Sequence, residues 1–172
     1  MIMKKLIRAR PLLLAMFLAC SALLGYGYYL QYGQGLEPCP LCIFQRICYF
    51  AIAVLCLLAF MHDPNRTGKR IYAVLIGIAA LKGIVFAGRQ VWLQHLPPDK
   101  VPACGPGLEY WMQTLPLAET IRKVFRGTGE CAEVDWTFLG FSIAEWSVLC
   151  FSLLLIGAII VWIRAGDDAY RI

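Results

Sequence analysis

The sequence predicts an all-α membrane protein: one four-transmembrane-helix bundle spanning residues 1–172, with two external loops, the second containing a short amphipathic helix. Three observations carry that prediction. The chain is 60% hydrophobic and 16% charged, with mean hydropathy +0.65, too little polar surface to clothe a soluble globule of 172 residues. Four apolar stretches, at about 11–30, 43–61, 71–88 and 143–163, each approach the roughly 20 residues that cross a hydrocarbon core. They are continuously apolar instead of alternating, and because lipid leaves only helices or closed barrels for the backbone, the barrel is excluded.

Lys4, Lys5, Arg8 and Arg10 precede the first span, Arg66, Lys69 and Arg70 join the second to the third, and Arg164 and Arg171 follow the fourth. Basic residues in short flanks stay inside, so both termini are expected to be cytoplasmic and the loops at about 31–42 and 89–142 external. The long loop mixes Arg89, Lys100, Arg122, Lys123 and Arg126 with Asp99, Glu109, Glu119, Glu130, Glu133 and Asp135, so it opposes translocation only weakly. Tyr26, Tyr28, Tyr29, Tyr32, Trp92 and Trp146 gather at the outer helix ends as an interfacial belt. A basic start followed by an apolar run also suits a cleaved signal, with Cys20 as a lipoprotein site, but Leu18 fits poorly there and three more spans follow. We read a retained first helix.

Within the long loop, Pro97, Pro98, Pro102 and the run Cys104-Gly-Pro-Gly107 interrupt regular structure, whereas 116–125 places Leu117, Ile121, Val124 and Phe125 on one helical face. With Arg122, Lys123 and Arg126 at lipid head groups this helix would anchor the loop; packing on the bundle is the other reading.

On this topology the eight cysteines divide evenly. Cys20, Cys48, Cys56 and Cys150 fall in spans, where a thiol packs as a small apolar side chain. Cys39, Cys42, Cys104 and Cys131 all fall on the external side, where disulfides form. A Cys-x-x-Cys is structural, metal-binding or redox-active according to context. Here Pro38 and Pro40 disfavour helix before the motif, which puts Cys42 near a helix N-terminus, where unpaired N–H groups favour a thiolate. Arg46, one turn further, is a permanent charge just inside the membrane boundary. It either snorkels to the head groups or serves a site, stabilising the Cys42 thiolate and negative charge on a quinone oxygen. A zinc site is disfavoured because Cys104 and Cys131 are far apart in sequence, so no metal is expected. Structural disulfides would leave Arg46 unexplained, and sequence alone permits three pairings of the four cysteines.

Four segments carry a resemblance: Cys39-Pro-Leu-Cys-Ile-Phe-Gln-Arg46, Arg89-Gln-Val-Trp-Leu-Gln94, Pro102-Ala-Cys-Gly-Pro-Gly-Leu-Glu-Tyr110 and Gly129-Glu-Cys-Ala-Glu-Val-Asp-Trp-Thr-Phe-Leu-Gly140. Over nearly its whole length the chain resembles the DsbB family of disulfide-bond formation proteins. The resemblance implies a bacterial inner-membrane thiol oxidase with periplasmic loops that passes electrons to ubiquinone or menaquinone. It further implies that Cys39 and Cys42 form the quinone-coupled pair with Arg46 beside them. Cys104 and Cys131 would face a periplasmic DsbA-like oxidase, through a transient mixed disulfide at Cys104. Membrane lipid is the other partner; nucleic acid is not expected. Many members have histidine where this chain has Gln90, which can hydrogen-bond a quinone oxygen but cannot titrate. Lys82, inside the third span, matches a position that is often basic, and either a functional charge or a snorkelling stem suits it. A vitamin K epoxide reductase-like protein shares four helices, the motif and a quinone, but carries its motif late in the bundle.

Overall fold

Among the described residues of the computed structural model, four helices are long and apolar enough to cross a membrane, and each contains one of the expected spans. The structure describes residues 9–105, 108–134 and 136–167. Lys4, Lys5, Arg8, Arg171, Asp135, Pro106 and Gly107, all used above, lie outside the described residues.

Helix α1 is Ala9–Gln34, α2 Pro40–His62 and α3 Arg66–Gln94. The loop then forms a 3-10 turn at Pro98–Lys100, helices α4 (Leu108–Thr114) and α5 (Leu117–Arg126), and a second 3-10 turn at Gly129–Cys131. Strands β1 (Thr137–Phe138) and β2 (Phe141–Ser142) make a small antiparallel hairpin before α6 (Ile143–Asp167).

The helices overrun the apolar spans because the flanking segments remain helical. Tyr32 and Gln34 extend α1, and Arg89 to Gln94 extend α3, so the first loop contracts from the expected 31–42 to 35–39 and the second helical core begins at Pro40. Proline suits that first position, where its missing N–H is not needed. Ser142 and Glu145 begin α6 with a reciprocal cap: Ser142 N–H donates to the Glu145 carboxylate at 2.7 Å, and Glu145 N–H donates to Ser142 Oγ at 3.3 Å.

α1 packs on α2, α2 on α3 and α3 on α6; α6 meets α1 along a much lighter seam. A spine of rings and a missing side chain holds the α2–α3–α6 wall. Phe151 of α6 is fully buried and stacks on Tyr49 of α2 with centroids 4.0 Å apart. It lies flat against α3 at Gly83, where a Cβ would fall inside the Phe151 ring. Lys82, next to Gly83, faces outward from the bundle.

α5 forms where its periodicity predicts, but turns its face differently. Thr120 and Val124 are the buried positions, and Phe125 reaches Phe86 of α3 with centroids 5.0 Å apart. Leu117 and Ile121, expected on the same apolar face, stay exposed. Arg89 at the outer end of α3 sets that orientation, donating to the carbonyls of Phe125 at 3.0 Å and Arg126 at 2.9 Å. It thereby satisfies last-turn carbonyls that have no intrahelical partner. The helix thus packs on the bundle while still presenting an apolar edge outward.

Candidate functional site

The site begins with a helix start. Cys39 caps α2 with extended backbone (φ −63°, ψ 162°), and its sulfur accepts the N–H of Cys42 at 3.4 Å. The cap turns both side chains of the motif to one place, with Cys39 Sγ and Cys42 Sγ 3.0 Å apart. Cys39 is buried and Cys42 half-buried. Cys39, Cys42, Cys104 and Cys131 are each a thiol here.

From Cys42 the same face of α2 continues through Gln45, Arg46 and Tyr49, the spacing that aligns side chains along a helix. Arg46 does not reach out to the head groups. One guanidinium nitrogen bonds the Gln31 side chain, the other donates to the carbonyl of Gly27 at 3.0 Å, and the guanidinium carbon lies 5.2 Å from the centre of the Tyr28 ring. All three partners belong to α1, so the charge is pinned across the α1–α2 contact.

Gln90 enters from α3. It is buried, and its amide Nε2 donates toward Cys39 Sγ at 3.5 Å and Cys42 Sγ at 3.3 Å. Its Oε1 accepts Gln45 Nε2 at 2.7 Å and also lies 3.5 Å from Cys42 Sγ.

The second cysteine pair arrives asymmetrically. Cys131, at the end of the second 3-10 turn, is fully buried and hydrogen-bonds to Cys39, whereas Cys104 is exposed. The two loop segments come together at Gly129, whose N–H meets the carbonyl of Ala103 at 3.4 Å. A Cβ at Gly129 would fall 2.9 Å from Cys104 Sγ and from the carbonyl of Pro102, so a larger residue there would force the segments apart.

Cys131 is an acidic thiol, lowered to about 6 first by the hydrogen bond from Cys39, with help from backbone N–H groups at Leu41 and Thr128 and from the Thr128 side chain, against the opposing effect of burial. Cys39 moves the other way. Its proton is shared first toward Cys131 and then toward Cys42, and burial adds to the rise. One proton held between two sulfurs accounts for both directions.

Beside the sulfurs lies a cavity of about 320 Å³ in the seam between α1 and α6. Leu23, Leu30, Ile143 and Trp146 give it apolar walls, while Cys42, Gln45, Arg46 and Gln90 supply polar groups at one end. On the other side of Cys39 a more polar cleft opens toward the loops, bounded by Glu37, Leu108 and Glu130. Cys39 lines both. A flat carbonyl-bearing ring with an apolar tail fits the first cavity in chemistry and in size, since small-molecule sites begin at about 300 Å³.

Cys39, Cys42, Arg46 and Gln90 therefore meet in one place, joined by Cys131, while Cys104 stands at its exposed edge. Gln45 was quoted only as part of a motif in the sequence, and its contact to Gln90 spans 45 positions, beyond any local signal. Gln31 and Gly27 were missed for the same reason. Of the span cysteines, Cys150 lines the cavity; Cys20, Cys48 and Cys56 sit in the packed core. No group of three or more His, Cys, Asp or Glu residues suited to a metal occurs among the described residues.

The sequence profile described as Disulfide bond formation protein DsbB matches residues 9–161. "Disulfide bond formation protein B" of Acinetobacter baumannii is 52% identical over 134 residues, covering 77% of this chain and 78% of that relative. The protein of the same description from Hahella chejuensis is 49% identical over 146 residues, 85% of this chain and 86% of its own. "Disulfide bond formation protein B 1" of Pseudomonas aeruginosa is 48% identical over 155 residues, 90% and 95% respectively.

Proposed function

This chain belongs to the DsbB family of disulfide bond formation proteins, and from that premise we propose that it is an inner-membrane protein-dithiol:quinone oxidoreductase with cytoplasmic termini, which reoxidises a periplasmic DsbA-like dithiol oxidase. The observation that carries the reading is the continuous run of sulfurs. Cys131 is hydrogen-bonded to Cys39, Cys39 Sγ lies 3.0 Å from Cys42 Sγ, and Cys42 lines an apolar cavity provided with an arginine and two amides.

In the resting oxidised enzyme Cys39 is bonded to Cys42 and Cys104 to Cys131. A thiolate of the reduced partner attacks Cys104, the exposed member, forming a mixed disulfide and expelling Cys131 as a thiolate. The partner's second thiol then resolves that bond, leaves as part of the partner's own disulfide, and returns Cys104 as a thiolate. Two electrons have entered the loop pair. Cys131, seated beside Cys39 with its thiolate held by Leu41 and Thr128, attacks Cys39 and expels Cys42; Cys104 then attacks Cys131 and expels Cys39, restoring the loop disulfide and leaving Cys39 and Cys42 reduced. A low leaving-group pKa speeds the first exchange, and the backbone N–H groups of Leu41 and Thr128 with the Thr128 side chain supply it; Cys39, held in its disulfide at that stage, has no S–H to add.

A bound quinone supplies the oxidant, accepting two electrons and two protons. The chain's own residues prepare for that event. Arg46 places a fixed positive charge in the cavity, Gln90 directs an N–H at both sulfurs, and the apolar walls keep water away from the exchange. Gln90 cannot act as a proton carrier, so protons leave through other groups.

The test is an anaerobic assay of the purified protein with a quinone and a reduced partner. The reading requires quinone reduction that Cys42→Ser and Cys104→Ser each abolish. Full turnover by a Cys42→Ser protein would refute it.

A further inference from the structure

The amide of Gln90 can face the two sulfurs with either edge, and the edges do opposite things. Its NH2 stabilises a thiolate; its carbonyl oxygen repels one. Glutamine rotates between these orientations with almost no change in shape, so something must choose. The one strong hydrogen bond to that amide is from Gln45 Nε2, at 2.7 Å, in a position where both side chains are buried. Nε2 can only donate. It takes Oε1 of Gln90, which also lies 3.5 Å from Cys42 Sγ, and leaves the Gln90 NH2 as the edge within reach of both sulfurs, 3.5 Å from Cys39 Sγ and 3.3 Å from Cys42 Sγ. Reversing Gln90 alone would set two NH2 groups against each other at hydrogen-bond distance, a costly arrangement in a buried site, so the two amides can turn over only together.

We propose that Gln45 is a positioning residue: by donating to Gln90 it holds that amide against the Cys39–Cys42 pair, with a hydrogen-bond donor within reach of both sulfurs at every working pH. The inference rests on the redox role of that pair proposed above. It assigns Gln45 a task distinct from its neighbour Arg46, which is turned to α1 and acts by charge. The charged and titratable groups facing the pair are Arg46 on α2, Cys131 on the loop, and Glu37, Glu130 and Glu133 around the cavities; Gln90 and Gln45 are neutral throughout.

The deciding experiment is a double-mutant cycle in the full-length reduced protein. Alkylation of Cys42 by iodoacetamide is followed against pH in the wild type, Gln45→Met, Gln90→Met and the double variant. Methionine keeps the length of the side chain and removes its amide. Gln45→Met is expected to move the alkylation curve up by about half a pH unit to one unit, the value of one neutral hydrogen bond, with a smaller, roughly twofold to fourfold slowing at pH 7 because the more basic thiolate is the better nucleophile. In the Gln90→Met background the same change should have no further effect, because Gln45 acts through Gln90. Equal slowing in both backgrounds, or none in either, overturns the proposal. Should Gln45→Met fail to fold, Gln45→Glu replaces it in the same cycle; its carboxylate accepts and would reverse the Gln90 amide. Alkylation needs no quinone, so loss of quinone reduction by the wild type would sink the proposed function alone, while an uncoupled cycle in an active enzyme would sink only the role of Gln45.

Discussion

Removing the thiol of Cys39 should release Cys131 from its acidic state, and the size of the effect follows from the shared proton. Cys131 lies at about 6 against an ordinary 9.0, with the Cys39 hydrogen bond as the largest cause. Three units correspond to about 4 kcal/mol, an upper bound because Leu41 and Thr128 still donate to the sulfur once Cys39 is gone. At pH 7 the thiolate fraction would fall from about nine-tenths toward about one-hundredth. Reactivity would fall much less, because a more basic thiolate is a better nucleophile; a Brønsted slope near 0.4–0.5 returns about 20-fold over three units and leaves a net loss of only a few-fold. The rate at neutral pH is thus a poor reporter, and the titration itself is the measurement. In protein carrying Cys42→Ala and Cys104→Ala, the ultraviolet thiolate absorption of Cys131, taken as the difference from a matched Cys131→Ala protein, should titrate near pH 6: thiolate above, thiol below. Adding Cys39→Ala should raise that midpoint by one to three units. An unchanged midpoint would refute the shared-proton account.

Arg46→Gln should weaken quinone use far more than partner use: about 10- to 100-fold in the apparent KM for quinone, as expected for a charge-assisted contact, with the partner's KM nearly unchanged in steady-state assays. Gly83→Val should overpack the Phe151 ring at a cost of about 1–3 kcal/mol, seen as an earlier thermal transition in detergent, and should disturb Tyr49 at the cavity wall. Arg89→Ala should loosen α5 without touching the spans, so hydrogen exchange at Thr120 to Arg126 should rise while α6 keeps its protection. Cys20, Cys48 and Cys56 should each tolerate alanine with turnover within about twofold, being packed away from the sulfur run.

The four long helices were readable because lipid imposes a one-dimensional signal: a run of apolar residues either is long enough or is not. The partition of cysteines followed from it, as did the position of Cys42 near a helix start, since Pro38 and Pro40 act locally. α5 was visible in its periodicity, but which of its faces the bundle would take was not, because Arg89 decides that from far along the chain. The cap at Ser142 and Glu145 is a recognisable local pattern that the sequence reading passed over. α4 is only seven residues long and lies among glycines and prolines, where periodicity has no room to register. The contacts that define the site are of another kind. Gln45 to Gln90, Arg46 to Gly27 and Cys131 to Cys39 each depend on how helices or loops cross, which no local pattern encodes.

The light seam between α1 and α6 has a consequence for how the enzyme meters its traffic. Cys39 borders an apolar chamber on that seam and a polar cleft on the loop side. An oily oxidant sliding in sideways and a water-borne protein landing from above would thus call at separate doors of one narrow room. Neither visitor has to leave for the other to arrive. Crowding one doorway with an inert look-alike should leave the queue at the other untouched, so the two reagents should behave in competition experiments as strangers to each other.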